Sequence, residues 1–386
     1  MKIISVVAAR PNFMKIAPLV AAIQKHNSTV PHRYINHILV HTGQHYDLRM
    51  SEAFFADLNI PEPDINLEVG SGTHAEQVGN TMIAFEKVLQ AHKPDWVVVV
   101  GDVNATLACS VTAKKENIKV CHIEAGLRSG DLSMPEEINR LVTDRLSDLL
   151  LTPDRMSGDN LRKEGVPEEK IKFVGNIMID TLEANRERAA ALNICELLAA
   201  NSLMEGRNFT GFGDATSYAV ITLHRPSNVD HREVLEPLLG FLTGEVAPAM
   251  PLLWPIHPRA VKMLKEFGLW ETASNHPNVI LLHPLGYHDM LRLNMDATIM
   301  LTDSGGLQEE CCILGTPCLT LRWNTERPVT LREHGGAAVL VGNNVERIRM
   351  EFRNTLKNGA IPNRPERWDG HTAERIVELF AGEFWE

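Results

Sequence analysis

A repeated alternation of short apolar runs with helix-like stretches constrains the fold of this chain most strongly. Each run is rich in aliphatic and β-branched residues, and a polar or glycine-containing turn and a stretch of helical composition follow it. Such alternation is typical of parallel sheets that helices cover on both faces. The runs divide into two sets, residues 3–7, 38–41, 96–100, 120–123, 149–151 and 173–174, and residues 219–223, 252–256, 279–282, 297–301, 318–321 and 338–341. Because twelve strands are too many for one ordinary sheet, we predict two sheets of six.

The composition between the two sets places a domain boundary. Residues 179–204 are helical in composition, and the polar, glycine-containing stretch 205–217 follows. A length of 386 residues is itself typical of two domains. We therefore predict an α/β protein with an N-terminal domain over residues 1–185 and a C-terminal domain over residues 186–367. The final helix-like stretch, residues 368–386, has no strand after it and is expected to pack back on the first domain.

Charge and cysteine content limit the compartment and the partners. A formal net charge of −11 argues against a non-specific nucleic-acid binder, which would carry a basic stripe. The six cysteines form no CxxC pair and no zinc-ligand spacing, as expected in a reducing compartment. Residues 1–7 resemble a first strand and not a signal peptide, and the longest aliphatic run, 96–100, is too short to span a bilayer. We expect a cytosolic protein with no membrane and no nucleic-acid partner.

Polar residues follow many of the apolar runs directly. In open α/β sheets, ligands bind beyond the carboxyl ends of the strands. The residues at these positions are Arg10, Gln44, His45, Asp102, Glu124, His224, Arg225, residues 257–259, Ser304 and residues 324–327. Their concentration at one end of both sheets predicts an active site in a cleft between two domains.

The segment after the run 297–301 has the pattern of an anion site. Ser304, Gly305 and Gly306 separate this run from a helical pattern. Glycines let a phosphate approach the backbone, and the first-turn N–H groups and the helix dipole favour negative charge. Arg327 adds a cation in the next loop, and Glu310 a carboxylate two turns into the helix. The combination predicts a ligand with phosphates at one end and hydroxyls at the other.

Carboxylates follow two runs of the first set. Asp102 follows the most hydrophobic run, where partial desolvation would raise its pKa and suit it to general acid or base catalysis. The alternative is an Asp that caps the next helix. Glu124 ends the following run. Asp102 and Glu124 are therefore expected to emerge from adjacent elements of one sheet.

Pro135 predicts the start of a helix that carries a third carboxylate. Glu136 and Arg140 are four residues apart and share a helix face, whereas Glu137 is expected to point elsewhere. The alternative for this pair is an exposed ion pair worth a few tenths of a kcal/mol. Three converging carboxylates would suit acid–base chemistry without a metal, and no HExxH or His-rich spacing accompanies them. His224 is either a proton carrier or a structural histidine.

The chain resembles the non-hydrolysing UDP-N-acetylglucosamine 2-epimerases over nearly its whole length. The motifs that carry the resemblance are Arg10-Pro11, Thr42-Gly43-Gln44-His45, Gly101-Asp102-Val103-Asn104, residues 122–128, residues 135–140, Leu223-His224-Arg225, residues 302–310 and residues 325–328. The resemblance implies two Rossmann-like domains with parallel sheets facing a central cleft, the arrangement called GT-B, and a homodimer. It also implies a UDP-sugar substrate bound mainly by the second domain.

The resemblance also assigns roles to residues. The substrate-binding positions are Arg10, Lys15, Arg140, Ser304, Gly305, Gly306, Glu310 and Arg327, and the catalytic positions are Asp102, Glu124, Glu136 and His224. In similar enzymes UDP is eliminated across C1–C2, and UDP then adds back to the 2-acetamidoglucal intermediate. This reaction needs no cofactor, in agreement with the absence of a GxGxxG fingerprint from the sequence. The resemblance does not say which carboxylate is the base and which the acid.

Four other functions stay open at the level of sequence. Within the fold, the substrate could be a modified sugar such as UDP-2,3-diacetamido-glucuronate. A hydrolysing relative would release free ManNAc, although the element 325–328 is a feature that such relatives lack. A glycosyltransferase of the same architecture and a non-catalytic nucleotide-sugar sensor are the remaining alternatives.

Overall fold

The computed structural model describes residues 1–43, 62–204, 206, 207, 209, 212, 216–358 and 364–382. By its internal contacts the chain divides into two compact units. The first unit comprises Met1–Ala184 and Glu366–Glu386, and the second comprises Asn185–Pro365.

A parallel sheet of seven strands organises the first unit, in the order β3-β2-β1-β4-β5-β6-β7. The strands are β1 (Lys2–Val7), β2 (Asn36–His41), β3 (Ile65–Asn66), β4 (Trp96–Val100), β5 (Lys119–Ile123), β6 (Leu149–Thr152) and β7 (Ile171–Phe173). The helices are α1 (Arg10–Thr29), α2 (His74–His92), α3 (Asn104–Lys115), α4 (Pro135–Leu146), α5 (Arg155–Lys163) and α6 (Ile177–Ala190), with 3₁₀ turns at Pro31–Arg33 and Glu168–Lys170.

The prediction of six strands for the first sheet is wrong by one strand. The additional strand, β3, has two residues and pairs with the end of β2, where Val40 lies opposite Ile65. It consists of one apolar residue, Ile65, and one polar residue, Asn66, so no continuous apolar run marks it. The central strand β4 coincides with the most hydrophobic run of the sequence, and all five of its residues are buried.

A parallel sheet of six strands organises the second unit, in the order β10-β9-β8-β11-β12-β13. The strands are β8 (Ala219–Thr222), β9 (Leu252–Pro255), β10 (Val279–Leu282), β11 (Ile299–Thr302), β12 (Cys318–Thr320) and β13 (Ala338–Leu340). The helices are α7 (Ile194–Asn201), α8 (Pro226–Val229), α9 (Arg232–Phe241), α10 (Ala247–Ala249), α11 (Pro258–Glu266), α12 (Trp270–Ser274), α13 (Tyr287–Asp296), α14 (Gly305–Leu314) and α15 (Val345–Asn358). A π-helical turn spans Leu242–Val246, and 3₁₀ turns span Pro328–Thr330 and Arg332–His334.

The last helix, α16 (Thr372–Gly382), lies against α1 in the first unit. Asp180 on α6 accepts hydrogen bonds from the backbone N–H groups of Thr372 and Ala373, at 3.1 and 2.7 Å. A carboxylate at a helix N-terminus satisfies N–H groups that lack intrahelical partners and interacts favourably with the helix dipole. The last helix is therefore attached to the first unit by a buried cap.

The described part of the chain contains no helix that combines the length and the apolar character of a membrane span. All six cysteines are free thiols, and five of them are buried.

Candidate active site

Asp102 lies in the turn after β4, and two residues of α4 donate hydrogen bonds to it. Its carboxylate accepts a hydrogen bond from Arg140 Nη2 at 2.5 Å, and its backbone oxygen accepts one from Asn139 Nδ2 at 2.8 Å. Helix α3 begins at Asn104 with Val103 at the N-cap, so Asp102 does not cap it and the capping alternative is wrong. An adjacent guanidinium favours the ionised carboxylate, which opposes the desolvation expected from sequence.

Helix α4 starts at Pro135, as predicted, but its charges pair differently from the prediction. Glu137, three residues from Arg140, is the carboxylate that binds Arg140, with Oε2 2.6 Å from Nη1. Glu137 also accepts from the backbone N–H groups of Ser129 and Gly130. Burial opposes its ionisation, but these hydrogen bonds keep the pKa of Glu137 below its usual value. The predicted pairing of Glu136 with Arg140 is therefore wrong, and Arg140 bridges Glu137 and Asp102.

Glu136 lies in the first turn of α4 and is partly exposed. Its carboxylate makes no hydrogen bond or ion pair with the residues that the structure describes.

Glu124 follows β5 with the backbone in the left-handed region, at φ 71°. A non-glycine residue in this region costs about 1 kcal/mol or more, and such strain concentrates at functional sites. Its buried carboxylate forms an ion pair with the ammonium group of Lys15, which is also buried. A Cβ built on Gly101 would lie 3.4 Å from Glu124 Oε2 and 3.3 Å from Lys15 Nζ. The pair therefore lies directly beside the turn that carries Asp102.

The structure thus brings the predicted catalytic carboxylates of the first domain to one end of the sheet. Asp102 and Glu124 follow adjacent strands, because Val100 of β4 lies opposite Ile123 of β5. Arg140 connects Asp102 to α4, the helix on which Glu136 stands. The side chain of Arg10 and the residues Gln44 and His45 lie outside the described part of the chain.

Sequence reasoning missed a buried pair beneath these carboxylates, His122 and Asp144. The ring of His122 lies 2.6 Å from Asp144 Oδ1 through Nδ1, and 2.9 Å from the Gly101 carbonyl oxygen through Nε2. No local pattern indicates this pair, because its two residues are 22 positions apart in the sequence.

In the second domain, the residues of the predicted anion site lie at the N-terminus of α14. Ser304 is the N-cap, and its side chain does not cap the helix. Space is open around Gly306, where an added Cβ would meet no atom within 4 Å. An added Cβ on Gly305 would lie 2.8 Å from Arg327 Nη1, so the guanidinium approaches the helix N-terminus closely. Backbone N–H groups and a cation therefore converge here, as an anion site requires.

Arg327 is held in a buried network of charges. Its Nε lies 2.7 Å from Glu309 Oε1, and it forms a second ion pair with Glu326. Glu326 in turn binds Arg322 at 2.7 Å. Sequence reasoning identified Arg327 and missed these partners, which fix the guanidinium in place.

Glu310 lies two turns into α14 and is 4% exposed. Burial raises the pKa of its carboxyl to about 7, although the Asn294 amide, 3.5 Å away, and the Tyr287 hydroxyl favour ionisation. A carboxylate in such surroundings gains from any ligand hydroxyl that donates to it. This property agrees with the predicted contact to ligand hydroxyls.

His224, after β8, pairs with the buried carboxylate of Asp303. His224 Nδ1 lies 2.6 Å from Asp303 Oδ1, and Asp303 Oδ2 accepts from the backbone N–H of Arg225 at 2.9 Å. Burial opposes ionisation of Asp303, but the His224 ring and the backbone N–H groups hold its pKa below the usual value. A donor at Nδ1 leaves Nε2 to interact with a ligand. His224 is half-exposed, at 43% of its side chain.

The described residues contain no group of three or more His, Cys, Asp or Glu side chains arranged to hold a metal ion.

Comparison with known proteins identifies the family of the chain. The family model described as "UDP-N-acetylglucosamine 2-epimerase" matches residues 28–381. The chain belongs to the UDP-N-acetylglucosamine 2-epimerase family. A member from Methanocaldococcus jannaschii, named UDP-N-acetylglucosamine 2-epimerase, is 40% identical over 389 residues, which is 98% of this chain and 98% of that protein. A Pseudomonas aeruginosa member, named UDP-2,3-diacetamido-2,3-dideoxy-D-glucuronate 2-epimerase, is 35% identical and covers 99% of both chains.

Solved structures of the epimerase family superimpose on nearly the whole chain. The M. jannaschii UDP-GlcNAc 2-epimerase, in complex with UDP-GlcNAc and UDP, gives a TM-score of 0.85 at 39% identity and covers 98% of this chain and 99% of that one. The Neisseria meningitidis enzyme bound to UDP-GlcNAc gives 0.84 at 30% identity, with 98% and 99% covered. The predicted family and the predicted α/β, GT-B-like fold class are confirmed.

Proposed function

We propose that this chain is a non-hydrolysing epimerase that interconverts UDP-GlcNAc and UDP-ManNAc. The observation that carries the proposal is the placement of Asp102 and Glu124 at the ends of adjacent strands, where both have cationic partners. The proposal is supported by the 39% identity to an enzyme that was solved with UDP-GlcNAc and UDP.

The chemistry of the sugar requires that UDP leave before C2 can invert. The C2–H bond is not adjacent to a carbonyl group, so its proton is not acidic in the intact substrate. As the C1–O bond breaks, its electron pair leaves with UDP and positive charge develops at C1. A base can then take the C2 proton, and the electrons of the C2–H bond form the C1=C2 double bond. Return of a proton to the opposite face of C2 and re-addition of UDP at C1 complete the epimerisation.

The second domain has the groups that are needed to bind UDP. We assign the diphosphate to the backbone of Ser304, Gly305 and Gly306 and to Arg327, where donors converge at a helix N-terminus. We assign the ribose hydroxyls to the buried carboxylate of Glu310. Charge that accumulates on the departing diphosphate is stabilised by such preorganised donors. Retention of UDP between elimination and re-addition rests on the same contacts.

The first domain has the proton carriers. Removal of a proton from one face of C2 and delivery to the other require two groups, and Asp102, Glu124 and Glu136 are the candidates. Arg140 favours the ionised form of Asp102, as a base requires, and we assign this arginine to holding Asp102 in place of the predicted substrate contact. His224 pairs with Asp303, the residue that precedes Ser304, and we assign it to the phosphates.

Turnover in D₂O tests the proposal directly. The protein is incubated with UDP-GlcNAc, and the products are followed by NMR and mass spectrometry. We expect UDP-ManNAc and deuterium at C2 of both nucleotide sugars. Asp102→Asn should abolish C2 exchange and leave UDP affinity within about twofold. Asp159→Asn, the same change at an exposed position of α5, serves as the matched control. Exchange at a near wild-type rate in Asp102→Asn would contradict the assignment.

A second candidate substrate is a diacetamido-glucuronate, favoured by the P. aeruginosa relative of 35% identity. Exchange with UDP-2,3-diacetamido-glucuronate but not with UDP-GlcNAc would establish this alternative. Free ManNAc would indicate a hydrolase, and UDP binding without turnover of either sugar would indicate a sensor or a transferase. The homodimer and the cytosolic location stay predictions, and sedimentation equilibrium tests the first of them.

A further inference from the structure

Two buried turns of the first domain meet at the carboxylate of Asp144 on α4. Asp144 Oδ1 lies 2.6 Å from His122 Nδ1, and Oδ2 accepts from the backbone N–H of Gly126 at 3.0 Å and from Arg128 Nη1 at 2.7 Å. His122 is bound on its other side to the carbonyl oxygen of Gly101, at 2.9 Å. The side chains of His122 and Asp144 are each 1% exposed.

Asp144 and the Gly101 carbonyl oxygen hold the ring of His122 from two sides. A carbonyl oxygen only accepts hydrogen bonds, so Nε2 donates to Gly101. Burial opposes the ionisation of Asp144, but His122 and Arg128 keep its pKa below the usual value. An ionised carboxylate makes charge-assisted hydrogen bonds, which are stronger than neutral ones.

Each turn that the pair holds precedes or follows a candidate catalytic carboxylate. Gly101, at φ 69°, precedes Asp102, and Gly126, at φ 82°, lies two residues after Glu124, itself at φ 71°. We infer that His122 and Asp144 form a positioning pair whose hydrogen bonds hold the turns bearing Asp102 and Glu124 in the geometry that proton transfer needs. The inference rests on the proposed function, and neither residue is assigned a contact with the substrate.

Conservative variants separate positioning from general stability. In Asp144→Asn, the amide oxygen can still accept from Gly126 and Arg128 and the amide N–H₂ then faces His122, so the hydrogen bonds persist without the charge of the carboxylate. His122→Asn retains a donor toward Asp144 and loses the bond to Gly101.

The chain contains a matched control at the opposite end of the same strand. Asp148 accepts from the backbone N–H of Val120, at 2.9 Å, and pairs with Lys114 at 2.8 Å. Asp148→Asn therefore removes an ion-paired carboxylate from the amino end of β5, away from the turns.

Kinetics of the full-length protein form the first arm of the test. A misplacement of about 1 Å costs up to about 100-fold in rate, so we expect kcat to fall about 10- to 100-fold in His122→Asn, which loses the bond to Gly101, and to fall less in Asp144→Asn, which keeps its bonds. We expect KM and UDP affinity to stay within about twofold, because the proposed UDP contacts lie in the second domain. Asp148→Asn should retain kcat within about twofold. If kcat of His122→Asn equals that of Asp148→Asn, the inference is overturned.

NMR of the unliganded protein forms the second arm and does not depend on turnover. In ¹⁵N-labelled protein, we expect the backbone amide signals of Asp102 and Glu124 to shift in His122→Asn, because this variant loses the bond to Gly101, and to stay unmoved in Asp148→Asn. Unmoved amides in His122→Asn would overturn the inference. An inactive wild type whose His122→Asn variant shows these shifts would instead contradict only the proposed function.

Discussion

Glu310 gives the sharpest quantitative prediction, because burial sets its ionisation and Glu310→Gln removes the ionisable group with almost no change of shape. The carboxyl is 4% exposed, and its pKa is raised from 4.5 to about 7, first of all by burial. In the unfolded chain the same group ionises near its ordinary value. Between pH 4.5 and about pH 7, the Glu310 carboxyl of the folded protein therefore holds a proton that the same group in the unfolded chain has lost.

The sign and size of the effect follow from proton linkage. A raised carboxyl pKa means that folding stability falls as the pH rises from the unfolded value toward the folded one. With 4.5 unfolded and about 7 folded, the wild type loses about 2.5 kcal/mol of unfolding free energy between about pH 5 and about pH 8 through this group alone. Glu310→Gln lacks this loss. Any constant cost of the amide cancels when the two pH values are compared.

Urea unfolding of both proteins without ligand, at about pH 5 and about pH 8, measures the difference. The difference in unfolding free energy between Glu310→Gln and wild type should change by about 2.5 kcal/mol in favour of the variant from the lower to the higher pH. This change corresponds to about 5–10 °C in melting temperature. Glu266→Gln, the same change at an exposed position on α11, is the control and should show no such movement. A gap that stays constant within about 0.5 kcal/mol would refute the argument that burial governs Glu310.

Three further predictions concern both domains. Gly126→Ala should lower the unfolding free energy by about 2–4 kcal/mol in urea titrations, because the new Cβ would lie 2.3 Å from the Ser157 carbonyl oxygen and the residue has φ 82°. Gly130→Ala is the control: φ is 73° but the space around it is open, so the change should cost about 1 kcal/mol. Asp303→Asn should cost about 1.5–3 kcal/mol at neutral pH through its bond to His224, and the cost should shrink as the pH falls through the depressed pKa of Asp303, below 3.8; acid titration of both proteins measures it. Glu310→Gln should weaken UDP about tenfold or more in calorimetry and 2′,3′-dideoxy-UDP far less, and equal losses would remove the ribose assignment.

Most of the fold was predictable because parallel strands buried on both faces are read directly as apolar runs. β4, with five buried residues, matches its run residue for residue. The edge strand β3 was missed because only one of its two residues, Ile65, is apolar. Helix α4 was located correctly by Pro135, since proline preorganises the first turn.

The site was predictable as a set of positions and only partly as a set of contacts. The carboxyl ends of neighbouring strands necessarily meet, so Asp102 and Glu124 could be placed beside each other from the sequence. The partner of Arg140 could not, because both Glu136 and Glu137 lie within reach on the helix, and the choice depends on the loop at Ser129 that binds Glu137.

The sequence by itself determined the two-sheet α/β architecture, the turn from Ser304 to Gly306 at the start of α14 and the carboxylates after β4 and β5, since these follow from local periodicity and from the ends of strands. Only the tertiary structure decided which charges pair. Lys15 meets Glu124 from 109 residues away, and His122 meets Asp144 across 22 residues. Such pairings depend on the three-dimensional approach of distant backbone segments and on burial, and these quantities set the ionisation of each group and are absent from any local pattern of residues.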